Sequence, residues 1–84
     1  SRVMAHFELE TNVSYSTDPI SKTTVMFLVT NDRPGLLALI SQVFLKLGIH
    51  LHNAKIATAG ERVEDTFYIT NSSNAPLLPL QQQE

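Results

Sequence analysis

Val3, Ala5, Phe7 and Leu9 alternate with Met4, His6, Glu8 and Glu10 at the head of the chain, the two-residue period of a strand with one buried face. The alternation then lapses. From Thr11 to Lys22 the sequence is dominated by Asn12, Ser14, Ser16, Thr17, Asp18-Pro19 and Ser21, side chains that compete for the backbone and favour turns, so a loop is expected. Thr23 to Thr30 carries the unbroken apolar run Val25-Met26-Phe27-Leu28-Val29, which predicts a strand covered on both faces. Asn31-Asp32-Arg33-Pro34-Gly35 ends it. Leu36, Leu37, Ile40, Val43, Phe44 and Leu47 then recur at the spacing of one helical face. Pro34 suits the first turn of that helix, Asp32 can cap it or complement its dipole, and Gly48 is placed to stop it in a left-handed conformation.

Strand character returns from Ile49 to Thr58, and Ala59-Gly60-Glu61 connects tightly to a second strand from Arg62 to Thr70, giving a hairpin. The first of these strands changes phase. Ile49 and Leu51 face one way, Ala54 and Ile56 belong to the opposite set, and His52-Asn53 sits at the break, where a bulge or twist is expected unless both faces are covered. Asn71-Ser72-Ser73-Asn74 reads as a loop, and Pro76-Leu77-Leu78-Pro79-Leu80 as the start of another helix. The order strand, loop, strand, helix, hairpin, helix start defines an α+β pattern with helices on one face of a mostly antiparallel sheet.

Composition narrows the function. With 84 residues the chain is one small domain at most, and with no cysteine it lacks both disulfides and thiolate ligands to supplement a thin core. Such a chain is expected to lean on a partner surface. A net charge of −2 leaves no basic footprint for phosphates, which disfavours nucleic acid as a partner. No apolar run approaches the roughly 20 residues of a membrane helix, and Ser1-Arg2-Val3 does not read as a signal peptide, so a cytoplasmic location is expected. A start without Met and an end at Gln81-Gln82-Gln83-Glu84 suggest a piece of a longer chain.

Candidate chemistry is sparse. His50 and His52 lie two apart on a strand and could offer two imidazoles to zinc, but a third ligand would have to come from His6, Glu64 or Asp65, so two ordinary strand histidines and no metal are expected. Asp32 and Arg33 sit between a strand end and a helix start, where free amides and the helix dipole favour an anionic group, and Gly35 would admit a ligand close to the backbone. The same residues serve equally as a cap and a turn. Val63, Asp65, Phe67 and Ile69 share a face, so Asp65 points into apolar company and needs a partner, either a nearby backbone N–H or a ligand ammonium. No phosphate cradle, nucleophile elbow or paired-carboxylate motif is present, and no catalytic residue is assigned.

Two stretches carry a family resemblance: Asn31-Asp32-Arg33-Pro34-Gly35-Leu36-Leu37 with the helix after it, and the run from Ala54-Lys55-Ile56-Ala57-Thr58 through Gly60-Glu61-Arg62-Val63-Glu64-Asp65-Thr66-Phe67-Tyr68. Together they resemble an ACT domain, and the second is similar to the C-terminal ACT domain of bacterial protein-PII uridylyltransferase/uridylyl-removing enzymes. The resemblance implies a ferredoxin-like βαββαβ domain over residues 23–84, incomplete before its last strand, preceded by a strand and loop over residues 1–22. It further implies an amino-acid-sensing domain, non-catalytic itself, with glutamine as effector. Its parent would use UTP and Mg to modify the PII signal protein and would also hydrolyse the product. The ligand would lie between the loop Asn31, Asp32, Arg33, Pro34, Gly35 and Leu36 and an edge strand containing His52, Asn53, Ala54 and Lys55 of a neighbouring ACT domain or homodimer partner. The fourth core strand of the family pattern would pair beside Val25 to Val29, so Val3 to Leu9, or a partner's copy, is expected to cover that edge. The competing reading is an ACT-type dimerisation module that binds no ligand.

Overall fold

The computed structural model describes residues 11–77. Within them lie β1 (Asn12–Asp18), β2 (Thr23–Asn31), a helix α1 (Leu36–Leu47), β3 (His50–Ala59) and β4 (Arg62–Thr70). The sheet runs β1-β2-β4-β3 with every neighbouring pair antiparallel. β2 and β3 are therefore parallel to each other with β4 inserted between them, a split βαβ unit crossed by α1. This is an α+β architecture compatible with a truncated ferredoxin-like fold.

β1 corrects the loop expected over residues 11–22. Asn12 to Asp18 pairs residue for residue with Val29 to Thr23, with Tyr15 opposite Met26 and Val13 opposite Leu28. Only Pro19 to Lys22 form the connection, tightened by Lys22 N–H donating to the Asp18 carbonyl at 2.8 Å and by a positive φ of 60° at Lys22. A strand at a sheet edge gains its backbone bonds from one neighbour and leaves its other side in water, so Asn12, Ser14 and Ser16 cost it little. β1 thus occupies the position beside Val25 to Val29; Val3 to Leu9, expected there, fall outside the described residues.

β2 is covered on one face rather than both. Thr24, Met26, Leu28 and Thr30 are buried, whereas Phe27 on the opposite face is 38% exposed. The reason is that α1 packs on one side only. Phe44 is its buried residue, its ring set edge-on to Phe67 at 5.8 Å and 85°, and Ile40 packs partly buried against the same cluster of Met26, Leu28, Phe67, Ile69 and Leu77. Leu37, Val43 and Leu47, placed by periodicity on the packing face, are 41–44% exposed, since among the described residues nothing covers that flank of α1. That flank and the sheet enclose an apolar groove of about 210 Å³ bordered by Val13, Tyr15, Val43 and Leu47.

The helix ends as expected and begins differently. Gly48 adopts φ 72° and donates its N–H to the Leu45 carbonyl, the left-handed stop that glycine allows. At the other end Gly35 is the N-cap, with φ 75° and no side-chain cap bond, so neither an Asp32 cap nor Pro34 within the first turn is realised. Asp32 instead donates its backbone N–H to the Glu61 carbonyl at 2.6 Å, tying the loop to the β3–β4 turn.

The phase change in β3 is a bulge: the register with β4 shifts between Leu51 and Asn53, leaving His52 as the extra residue. Among the described residues β3 lies at the sheet edge and is exposed in every position except Ala54, so α1 does not cover one of its faces. After β4, Asn71 Oδ1 accepts the N–H groups of Ser73 and Ala75 at 2.8 and 3.0 Å. Leu77 N–H then donates to Thr24 Oγ1 at 2.8 Å, which returns the chain onto the sheet. Pro76 and Leu77 are not helical, and the rest of the helix start expected there, from residue 78 on, lies outside the described residues. Among those residues no helix is long and apolar enough to cross a membrane.

Candidate functional site

The hairpin register and the loop tether together build a cleft. The short Gly60-Glu61 connection sets Thr58 opposite Val63 and Ile56 opposite Asp65, and the Asp32 to Glu61 hydrogen bond holds the β2–α1 loop beside that turn. The result is an open-sided cleft of about 250 Å³ lined by Asp32, Arg33, Gly35, Leu36, Leu37 and Ala38 from the loop and helix, and by Ile56, Thr58, Val63 and Asp65 from the hairpin. Its volume lies just under the range of about 300–1,000 Å³ usual for small-molecule pockets.

One end of the cleft favours negative charge. With no capping side chain, the N–H groups of Leu37 and Ala38 have no partner in the first turn, and the positive end of the helix dipole falls there. Arg33 lies on the same rim, its guanidinium in long contact with Thr30 Oγ1 at 3.5 Å. The floor is opposite in character. Asp65 is 1% exposed; its Oδ1 accepts the Ala57 N–H at 3.3 Å, while its Oδ2 is buried without a partner among the described residues. Burial pushes its carboxyl above the ordinary value, the Ala57 amide opposes that rise, and the nearby charge of Asp32 adds to it.

Of the residues singled out from sequence, Asp32, Arg33, Gly35 and Leu36 line the cleft. Pro34 is in the same loop without joining the lining, and Asn31 closes β2 opposite Arg62. His52, Asn53, Ala54 and Lys55 stand farther along β3. His52 Nε2 bonds to Thr70 Oγ1 at 2.7 Å, Asn53 Oδ1 accepts the Ala54 N–H at 2.9 Å, Ala54 packs on the core, and the Lys55 ammonium lies 5.7 Å from the Tyr68 ring centroid. The lining residues not chosen from sequence are Leu37, Ala38, Ile56, Thr58 and Val63, while Asp65, for which the sequence required a backbone or ligand partner, lines the cleft as well. Counting back from the Gly60-Glu61 turn would have found Ile56 and Thr58, since a hairpin turn fixes which residues face each other.

The two histidines diverge. His50 Nδ1 bonds to Asn74 Oδ1 at 3.2 Å while His52 turns to Thr70, and among the described residues no group of three or more His, Asp or Glu side chains is arranged to hold a metal.

The fold and cleft define an α+β domain with an open pocket at the loop–helix junction, lined by Asp32, Arg33 and buried Asp65. No protein-family model and no solved structure matches the chain. Its sequence is, however, similar to part of known enzymes. It is 61% identical over 77 residues to the bifunctional uridylyltransferase/uridylyl-removing enzyme of Legionella pneumophila (strain Paris), a match covering 92% of the chain. It is 49% identical over 76 residues to the enzyme of the same description from Pseudomonas aeruginosa (strain UCBPP-PA14), and 44% identical over 77 residues to that of Methylococcus capsulatus. The chain spans only 9% of the length of the Legionella and Methylococcus enzymes and 8% of the Pseudomonas one, so what it resembles is one region of each.

Proposed function

We propose that this chain is an amino-acid-sensing regulatory domain of the ACT type, belonging to a bifunctional enzyme that uridylylates and deuridylylates the PII signal protein, with glutamine as its effector. The observation that carries the reading is the cleft at the Asp32–Gly35 loop, where uncapped α1 amides, Arg33 and Asp32 border a space of about 250 Å³ that buried Asp65 also lines. The ligand carboxylate would accept hydrogen bonds from the Leu37 and Ala38 amides and pair with Arg33, and its ammonium would pair with Asp32. A second ACT domain, or a homodimer partner, would close the open side with His52 to Lys55 of its own edge strand. UTP and Mg chemistry, with the transfer to PII, would reside in the catalytic region of the parent enzyme. Titration calorimetry of L-glutamine against that full-length enzyme tests the reading: saturable heat that Gly35→Val abolishes is expected, and no heat with either protein refutes it.

The exposed β3 edge, with Leu51 and Ile56 about half exposed, favours a second reading as an ACT-type module that joins two domains without binding a ligand. Domain association and parent activity that stay unchanged across glutamine concentrations would select it.

A further inference from the structure

The proposed carboxylate and ammonium contacts use the helix end, Arg33 and Asp32, and leave the buried floor of the cleft without a task. Asp65 is the anomaly there. A carboxylate oxygen withdrawn from water without a hydrogen-bond donor opposes folding, and the residue shares its face of β4 with Val63, Phe67 and Ile69, where an apolar side chain would pack without that cost. Oδ1 accepts the Ala57 amide, which fixes the carboxyl group, while Oδ2, withdrawn from water, has no donor among the described residues. The cleft lining includes Asp65, so a ligand seated in the cleft meets this residue.

Resting on the glutamine-site reading, we propose that Asp65 is the specificity-determining residue of the cleft, its Oδ2 accepting a hydrogen bond from the distal carboxamide NH2 of the bound amino acid. The geometry of an α-amino acid dictates the direction. Carboxylate and ammonium share one carbon, so an amino acid anchored by the α1 amides, Arg33 and Asp32 would turn its side chain toward the hairpin residues of the lining, where a small shift of that lining would admit a donor to Oδ2. A distal NH2 supplies the missing donor. A distal carboxylate, as in glutamate, brings a second acceptor and a second negative charge against Asp65, and an ester brings no donor at all. Buried polar groups reject an analogue that leaves them unpaired more strongly than apolar walls reject a change of size.

The experiment is calorimetric titration of the full-length polypeptide with L-glutamine, L-glutamate and the γ-methyl ester of L-glutamate, which is neutral and similar in size to glutamine but has no distal N–H. Wild type is expected to bind the ester and glutamate at least ~10-fold more weakly than glutamine, the scale of a hydrogen bond to a charged group. Asp65→Asn keeps the acceptor for the Ala57 amide and removes the charge; it should lose at least ~10-fold for glutamine and leave the ester unchanged within a factor of about 2. Asp32→Asn should weaken all three ligands alike. Glutamine and ester binding equally to wild type overturns the assignment of Asp65 while leaving the site reading intact, and this comparison needs no variant to fold. Wild-type glutamine affinity in a cooperatively folded Asp65→Asn does the same. Absence of binding by every ligand to wild type overturns the site reading and this assignment with it.

Discussion

Replacing Asp65 by Asn changes one atom and removes one charge, and the structure states what that should do to stability. In the wild type Oδ2 is buried without a partner in a residue 1% exposed, while Oδ1 accepts the Ala57 N–H, a bond that the Asn carbonyl oxygen can keep. The unpaired oxygen carries a charge that the neutral amide does not, but the Asn NH2 is left unpaired in its place, so only the charge part of the cost is relieved and Asp65→Asn should stabilise the fold by about 1 kcal/mol at pH 7. For a chain of this size that is roughly 4–8 °C in Tm per kcal/mol. Since the folded-state pKa is raised, the protonated form is the one folding favours. The contribution is therefore fully present below the unfolded value and is lost as pH rises through the folded one. The advantage of Asp65→Asn should accordingly be largest near neutrality and shrink as pH falls toward the ordinary carboxylate range. Urea unfolding followed by circular dichroism at several pH values measures it as a difference between two proteins, which cancels the other titrating groups. A variant less stable than wild type at pH 7, or a gap independent of pH, would refute the account of Asp65 as an ionised residue held at a cost.

Phe44→Ala should destabilise by about 3–5 kcal/mol in thermal melts, since Phe44 is the buried anchor of α1, and a double-mutant cycle with Phe67→Leu should return about 0.5–1.5 kcal/mol for the edge-to-face pair. Gly48→Ala should cost about 1–2 kcal/mol through φ 72° alone, because the site has room for a Cβ, with Ser72 no closer than 4.0 Å; urea midpoints would show it, and a neutral result would mean that the helix stop does not need the left-handed conformation. Asp18 behaves oppositely to Asp65. The Ser21 hydroxyl and the Ile20 amide lower its pKa, so its contribution is present above the unfolded value and lost as pH falls through the folded one; Asp18→Asn should flatten that part of the acid-unfolding profile.

Those elements marked by apolar spacing and punctuating glycines were legible in the sequence to within a residue or two: β2, α1 with its Gly48 stop, and the hairpin with its Gly60-Glu61 turn. The bulge at His52 was legible too, because a change of phase in a two-residue period has few physical causes. β1 was not. Val13, Tyr15 and Thr17 do alternate, but Asn, Ser and Asp fill the intervening positions, and a strand held at an edge by backbone pairing to β2 leaves little apolar signal. Composition weighs side chains, and β1 is specified mainly by a neighbour's unpaired amides and carbonyls. The Asp32 cap failed for a related reason: Pro34 and Gly35 shape the loop so that α1 starts at Leu36, three residues further on than a capping Asp32 would put it.

The cleft divides along the same line. Asp32, Arg33, Gly35 and Leu36 are contiguous, and a strand-to-helix junction advertises itself in one dimension. The opposite wall is assembled from Ile56 and Thr58 on β3 and Val63 and Asp65 on β4, brought there by a hairpin register and by a single amide of Asp32 held on Glu61. Sequence placed Asp65 on the buried face and required a partner for it; what only the fold reveals is that one oxygen finds that partner in the Ala57 amide while the other finds none. An apolar sheet face tolerates such a residue when a compensating donor arrives from elsewhere, and in a cleft open on one side the donor can come from a ligand. Stability and recognition therefore make opposite demands on position 65, and an Asn there should fold better and select worse.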